Sequence, residues 1–243
     1  PPGDFWMGGD VSNNQDSDGE RVYDQGNRVA MPKGYWIGQF PVTQAQFAEF
    51  VADGGYCRAS YWPVAIKAGR WRSGAFFDAF DNVKRLGPFD YGQPFSMSNH
   101  PVVGVTWYEA LAYCMWAEEQ LRACQRIPKD WRITLPGEAE WEKAARGAVQ
   151  IPTVDLMHPV VRGQDASLSP ISDLQPIGLG DSIAGLRYPW GNDPDPDRAN
   201  YDASKVGTSS AVGCFPGGAS IYGCQDMSGN VWEWTRSATD NYS

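Results

Sequence analysis

Two helix starts stand out in this sequence and constrain what the chain can fold into. Thr43 with Gln46, and Thr106 with Glu109, each fit a capping box, in which a hydroxyl and a Glu or Gln side chain satisfy two backbone amides. Apolar residues follow both starts at helical spacing. They are Phe47, Phe50 and Val51 in the first segment and Leu111, Cys114, Met115 and Leu121 in the second. We therefore predict two helices with one buried face each, in which the cysteine and methionine fill the core.

A third helix is predicted from Gly137 or Glu138 to Arg146. Glu138 and Glu140 lie in its first turn, where they complement the positive end of a helix, and Gly137 can begin a helix but offers no side-chain acceptor. Because Glu138, Glu140 and Glu142 are spaced by two, they fall on different sides of the helix and cannot converge as an acid–base pair. The candidates for burial are Ala139, Trp141, Ala144 and Ala145.

Strand signals are short, and turns dominate the rest of the chain. Residues 35–40 alternate crudely between polar and apolar side chains, and 102–105 is a brief apolar run, so both are predicted as strands. Two long segments, 56–99 and 149–186, have little regular pattern. With 27 Gly, 18 Pro and 11 Trp, the chain is predicted to be a loop-rich α+β fold held by large aromatic side chains.

Charge and cysteine usage exclude several classes of protein. A net charge of −9 argues against nucleic acid and anionic membranes, which require a basic footprint. No apolar run is long enough to insert in a bilayer, and the first residues lack the basic and apolar regions of a signal peptide. Five cysteines without a Cys-x-x-Cys pair form neither a disulfide framework nor a zinc site, which favours a cytoplasmic protein.

Six short segments in chain order resemble the formylglycine-generating enzyme family, also called the sulfatase-modifying factor family. They are FWMGG (5–9), YWIGQFPVT (35–43), HPVVGVTW (100–107), LPGEAEWEKAARG (135–147), YPWGN (188–192) and DMSGNVWEW (226–234). The resemblance implies a C-type-lectin fold, with short twisted antiparallel strands, a few helices and much irregular loop. It covers residues 1–243 as a single domain.

The chain departs from the family pattern in three places. Gly137 replaces the usual Thr before the third helix, and residues 149–186 form an insertion before the Trp-Gly-Asn turn. In the enzymes, a copper-binding catalytic cysteine pair follows the Asn-Val-Trp-Glu-Trp segment. The sequence reaches Ser243 before that segment, and Cys214 and Cys224 lie upstream of it, so we identify no catalytic residue among residues 1–243.

Calcium is the cofactor that the resemblance implies for the visible residues, in a structural role. The family ligands fall on the side chains of Asp226 and Glu233 and on the carbonyl oxygens of Gly229 and Val231. The alternative is that the two carboxylates only accept hydrogen bonds from loop amides. A second family site falls on the Asn200 side chain and on the carbonyls of Tyr201 and Val206, with Ser204 where the acidic ligand is expected.

Other residues that could carry chemistry are interpreted as structural. Two histidines, His100 and His158, are too few for a catalytic triad or an iron site. Trp190, Trp232 and Trp234 are predicted to anchor the core and turns. An island of basic and aromatic residues extends from Arg58 to Arg72, and it is either an interaction surface or a loop whose aromatic rings fold back onto the core.

Two functions from different classes follow from the resemblance. The first, preferred from the sequence, is a calcium-stabilised, non-catalytic recognition module, such as the variable proteins of diversity-generating retroelements. Such a module binds a protein or another ligand through its loops and C-terminal region. The second is a copper-dependent oxidase that converts a sulfatase cysteine to formylglycine, with catalytic cysteines in a segment after Ser243.

Overall fold

The computed structural model describes residues 2–7, 27–79, 82–147, 150–152, 174–176 and 186–237. Its helices are α1 (Gln44–Ala52), α2 (Pro63–Lys67), α3 (Trp107–Ala123) and α4 (Glu138–Arg146). The strands are β1 (Phe5–Met7), β2 (Asn27–Val29), β3 (Trp71–Arg72), β4 (Ala75–Phe77), β5 (Lys84–Arg85), β6 (Gln150–Pro152) and β7 (Leu174–Pro176). Short 3₁₀ turns lie at Gly55–Cys57, Ala59–Tyr61, Asp202–Ser204 and Pro216–Gly218. The fold is thus mixed helix and small sheet with much loop.

Every sheet in the described residues is small and antiparallel. β1 pairs with β2, β6 pairs with β7, and β3, β4 and β5 form a three-stranded sheet in that order. Strands of two or three residues cannot form a self-supporting sheet, so helices and aromatic packing must supply the stability.

The three main helices begin where the sequence predicts. The Thr43 and Thr106 side chains accept hydrogen bonds from the amides of Gln46 and Glu109, and both reciprocal bonds of the two capping boxes are present. At α4 the Glu140 side chain accepts a bond from the Gly137 amide at 2.7 Å, although glycine itself gives no side-chain cap. These predictions are confirmed. They could be made from the sequence because a capping box depends on only four adjacent residues.

The two predicted strands are wrong. Residues 35–40 and 102–105 have no regular secondary structure. Close to their ends, one isolated β-bridge joins Thr43 and Pro101. The Val102 amide donates to the Val42 carbonyl at 2.8 Å, but Pro41 and Pro101 have no amide hydrogen. The missing donors prevent this contact from growing into a ladder.

The main core is an aromatic cluster between α1, α2 and α3. Phe50 is fully buried at its centre, and its ring contacts six other aromatic rings. These belong to Phe47, Tyr56, Tyr61, Trp62, Tyr113 and Trp116. On α3, Cys114 is buried as predicted, but Met115 is 39 % exposed, so its interpretation as core filling is wrong. One residue further along a helix turns the side chain by about 100°.

A second, smaller core lies under α4. Ala144 and Ala145 pack with Cys224 and Met227, and Ile37, Trp141 and Tyr222 cover them. Lys143 is buried and donates to the Gly3 carbonyl at 2.9 Å, which ties the start of the chain to α4. This core therefore positions the 224–227 loop, which leads into the candidate site.

Most of the predicted insertion at 149–186 lies outside the described residues, apart from β6 and β7. Among the described residues, no helix combines the length and the apolar character that crossing a membrane requires.

Candidate functional site

The 226–233 turn owes its shape to three residues with left-handed backbone conformations. Asp226, Gly229 and Asn230 have φ values of 57°, 80° and 65°. Aspartate and asparagine tolerate this region because their short polar side chains bond to nearby backbone. The Asp226 carboxylate accepts from the Gly213 amide at 2.7 Å, and the Asn230 side-chain oxygen accepts from the Ser210 amide at 2.9 Å. These bonds fix the turn to the 208–213 loop.

The same turn packs directly against Asn200, so the structure joins the loops of the two predicted calcium sites. The Asn230 amide donates to the Asn200 carbonyl at 2.7 Å. A Cβ atom on Gly229 would lie 2.3 Å from that carbonyl oxygen, closer than any real contact. Only glycine therefore allows this approach.

Asn200 is buried and holds three segments together. Its side-chain nitrogen donates to the Thr208 carbonyl at 2.7 Å and lies within bonding distance of the Ser210 hydroxyl at 3.2 Å. A neighbouring buried pair, His100 and Ser209, is joined by a 3.0 Å contact between Nδ1 and Oγ. These bonds form a buried polar cluster of His100, Asn200, Thr208, Ser209 and Ser210. The cluster orders the loops in the way that backbone pairing orders a longer sheet.

Glu233 is placed between the turn and α4. Its Oε2 atom accepts a bond from the Trp141 indole nitrogen at 3.2 Å. Although the residue as a whole is exposed, burial of the carboxyl group raises its pKa to about 7, and the nearby negative charge of Asp226 adds to the rise. Burial also raises the pKa of Asp226. Two desolvated carboxyl groups that repel each other form an arrangement that a cation would stabilise.

This geometry predicts how stability depends on pH in the absence of calcium. Because the folded pKa of Glu233 exceeds its ordinary value of 4.5, the folded state retains a proton that the unfolded state loses. Stability should therefore fall as pH rises from about 5 to about 7, and Glu233→Gln should flatten that fall. Urea unfolding in a chelator at several pH values measures both. Parallel curves for the two proteins would show that Glu233 titrates normally.

In the second predicted set of ligands, hydrogen bonds already use the Tyr201 carbonyl oxygen. The Tyr201 carbonyl accepts from the Ser204 hydroxyl at 2.6 Å and from the Ser204 amide at 3.0 Å. Val206 lies in an exposed part of the loop. Serine thus closes the turn with a hydrogen bond where an acidic residue would offer a charged ligand.

The Trp232 prediction is wrong. The Trp232 side chain is 97 % exposed and Trp234 is 50 % exposed, whereas Trp190 is partly buried and stacks on Tyr188. Trp234 is nevertheless fixed, because its indole nitrogen donates to the Val105 carbonyl at 3.0 Å. An extended segment turns alternate residues to opposite sides, so Glu233 facing α4 leaves Trp232 facing outward.

Residues after Glu233 are bound to the starts of α3 and α4. The Trp107 indole nitrogen donates to the Thr235 carbonyl at 2.8 Å, and the Arg236 amide donates to the Pro136 carbonyl at 2.9 Å. Arg236 also forms a two-bond ion pair with Glu140, at 2.6 and 2.8 Å. Burial alone would raise the pKa of Glu140, but the bonds from Arg236 and Gly137 hold it below its ordinary value. Sequence reasoning assigned Glu140 to the helix dipole and missed this partner, 96 residues away.

The described residues do not fit a copper centre. All five cysteines have free thiols, and Cys114 and Cys224 are buried with raised pKa values because of desolvation. No group of three His, Cys, Asp or Glu residues able to hold a metal occurs in the described part of the chain. A calcium ion at Asp226 and Glu233 would therefore depend on backbone carbonyl oxygens as well.

Comparison with known proteins gives the class. The sulfatase-modifying factor enzyme 1-like domain family (FGE-sulfatase) matches residues 1–243, and the chain belongs to that family. It is 31 % identical to hercynine oxygenase of Mycolicibacterium smegmatis over 98 % of the chain and 44 % of that protein. It is 30 % identical to formylglycine-generating enzyme of Mycobacterium tuberculosis, over 84 % of the chain and 63 % of that enzyme. It is 26 % identical to inactive C-alpha-formylglycine-generating enzyme 2 of Bos taurus, over 98 % and 69 %.

The chain thus spans less than half the length of the hercynine oxygenase that it matches. Two of these three relatives are named as enzymes, and one of them is an oxygenase. These relatives favour an enzyme over the non-catalytic recognition module that the sequence alone preferred.

Proposed function

We propose that this chain is the family domain of an oxygen-dependent enzyme. The observation that carries the proposal is the match to hercynine oxygenase, at 31 % identity over 98 % of the chain. The match spans nearly the whole chain, so it includes the 226–233 turn and the segment bound to α3 and α4. An oxygen-dependent reaction is therefore the preferred activity. Formylglycine formation is the second such reaction that we consider, because the chain is 30 % identical to a formylglycine-generating enzyme.

In this proposal the described residues build and support the substrate site and do not themselves oxidise. The 226–237 segment is bonded to the buried polar cluster through Asn230, and to the starts of α3 and α4 through Thr235 and Arg236. Residues that contact this segment are therefore held in fixed positions. If the reaction uses copper, the described residues offer no group of three His, Cys, Asp or Glu side chains to hold it.

The substrate is tested by product analysis of the purified protein. It is incubated aerobically with hercynine and, separately, with a sulfatase-derived cysteine peptide, and the products are identified by mass spectrometry. Oxygenated hercynine supports the first activity, and replacement of the cysteine thiol by an aldehyde supports the second. Each reaction needs its own blank with heat-unfolded protein, because free metals oxidise thiols.

A non-catalytic recognition module is the second candidate. It is favoured by the 26 % identity, over 98 % of the chain, to a relative that is named inactive. The variable proteins of diversity-generating retroelements belong to this candidate, with a protein or other ligand bound through the loops and C-terminal region. Absence of both products from folded protein, together with specific binding of a ligand, would establish this second function.

We also propose that calcium binds between Asp226 and Glu233 and uses the carbonyls of Gly229 and Val231. Support comes from the two desolvated carboxyl groups and from the bend that three left-handed residues impose. The second set, Asn200, Tyr201 and Val206, is proposed with less support, because Ser204 already occupies the Tyr201 carbonyl.

The calcium proposal predicts a conditional loss of stability. Asp226→Ala combined with Glu233→Ala should lower the Tm by about 5–10 °C in saturating calcium, since a ligand at 100 times its Kd stabilises by about 2.7 kcal/mol. In chelator the loss should be clearly smaller, because only the hydrogen bonds that Asp226 and Glu233 accept from Gly213 and Trp141 are removed. Asp130→Ala with Asp193→Ala removes two exposed carboxylates outside both proposed ligand sets and is the matched control. Equal losses of Tm in calcium and in chelator would show that the carboxylates only stabilise the loop.

A further inference from the structure

Four basic residues lie on or beside α2 and the three-stranded sheet. They are Lys67, Arg70, Arg72 and Lys84, here called the basic strip. Between Arg58 and Leu86 the described residues include one carboxylate, Asp78, which is buried and paired with Arg85 at 2.7 Å. Within the described part of the chain, no member of the strip forms an ion pair. Among the described residues this positive charge therefore has no ion-pair partner, in a chain whose net charge is −9.

Arg72 joins the two ends of the strip. Its guanidinium donates to the Gly69 carbonyl at 2.9 Å, just after α2, and to the Asn82 side-chain oxygen at 3.0 Å, just before β5. The group also lies 3.8 Å above the Phe77 ring on β4. Three separate contacts thus hold the Arg72 side chain over Phe77. The Phe77 amide donates to the Arg70 carbonyl at 2.7 Å and Phe77 pairs with Lys84, so Arg70, Arg72 and Lys84 share the face of the sheet on which the Phe77 ring lies.

Exposed aliphatic side chains lie beside these charges. Ile66 and Leu86 are 43 % and 51 % exposed. Ile66 precedes Lys67 on α2, and Leu86 lies two residues after Lys84, so Leu86 lies on the same side of the chain as that lysine. In contrast, Tyr61 and Trp62 from the same sequence island are buried in the aromatic core. The aromatic rings thus support this surface, and cations with aliphatic groups form it.

We propose that the basic strip docks an acidic segment of a partner protein that also carries apolar side chains. Charge complementarity selects the acidic segment, and the interleaved aliphatic groups select a polypeptide, since buried apolar contacts with a polar rim are typical of protein interfaces. Nucleic acid is disfavoured because Arg72 already covers the Phe77 ring, because Tyr61 and Trp62 are buried, and because the chain carries a net charge of −9. This surface lies outside the 226–237 segment and does not depend on the proposed activity.

Binding of a defined probe tests the proposal. The anisotropy of a fluorescein-labelled peptide of repeated Glu-Glu-Leu units is titrated with wild-type protein and with Lys67→Glu combined with Lys84→Glu. Reversal of two charges should weaken binding about tenfold or more. The matched control is Lys33→Glu with Lys129→Glu, which makes the same charge change at two exposed lysines elsewhere and should weaken binding less than about twofold.

The aliphatic contribution is tested separately, with a second variant that keeps every charge. Ile66→Ser with Leu86→Ser should weaken binding of the Glu-Glu-Leu peptide but not of poly-glutamate, and unchanged thermal melting shows that both variants fold. No binding by the wild type, or equal loss in the strip and control variants, would overturn the proposal. Tighter binding to duplex DNA or to phosphatidylserine vesicles than to the peptide would overturn it as well.

Discussion

Gly229→Ala is expected to lower the free energy of unfolding by about 3 kcal/mol or more, because the new methyl group has no room. Its Cβ atom would lie 2.3 Å from the Asn200 carbonyl oxygen, and alanine is strained at a φ of 80°. To relieve the clash, the turn must move away from Asn200, which breaks the 2.7 Å bond from the Asn230 amide. Chemical denaturation at fixed pH and calcium concentration measures the loss.

Gly207→Ala is the matched control for this substitution. Gly207 has a φ of 73°, but nothing lies within 4 Å of the position that a Cβ atom would take there. The control should therefore cost only the backbone strain of a left-handed alanine, about 1–2 kcal/mol. Similar losses for the two variants would mean that the turn and Asn200 are not tightly packed in solution. A larger loss at Gly229, with weaker calcium binding, would link the packing of this turn to the metal site.

Glu109→Ala is expected to cost about 3–5 kcal/mol, since removal of one member of a buried, bonded network leaves its partners unsatisfied. Glu109 is fully buried in α3. One carboxylate oxygen accepts from the Tyr56 hydroxyl at 2.6 Å, and the other accepts from the Thr106 amide at 2.7 Å. The alanine variant loses one of the two bonds of the capping box and a core hydrogen bond together, and it leaves a cavity beside the aromatic cluster.

Glu109→Gln separates these effects. Glutamine fills the same volume and keeps an oxygen for the Thr106 amide, so its cost should be less than half that of alanine. Exposed Glu119 on the same helix pairs with Arg58 at the surface, and Glu119→Ala should cost less than about 1 kcal/mol. If Glu109→Ala destabilises no more than Glu119→Ala, the buried network does not form as described.

The parts of the fold that the sequence predicts are those governed by neighbouring residues. The starts of α1, α3 and α4 depend on four adjacent positions, and all three were predicted. Strand pairing depends on residues far apart in sequence. At 35–40 and 102–105 the apolar pattern gave no sign that prolines would limit the contact to a single bridge. Met115 shows the same limit, because its exposure depends on which face of α3 meets the core.

The candidate site was only partly accessible from the sequence. The family motif predicts Asp226, Gly229 and Glu233 as calcium ligands. The structure adds that Trp141 and Asn200 form hydrogen bonds with this turn. Those contacts join residues up to 92 positions apart, and no local pattern reports them. The exposure of Trp232 was missed for a related reason, since tryptophan is usually an anchor and only the direction of the segment turns it outward.

Oxygen uptake tests the central claim most directly. The folded protein is supplied with hercynine or with a sulfatase-derived cysteine peptide in an oxygen electrode, with copper and, in parallel, with other first-row metals. An oxygen-dependent enzyme is expected to consume oxygen in proportion to product formed, with one substrate and at rates well above those of heat-unfolded protein. Uptake no faster than that blank, with both substrates and every metal, would contradict the enzymatic function and favour the recognition module.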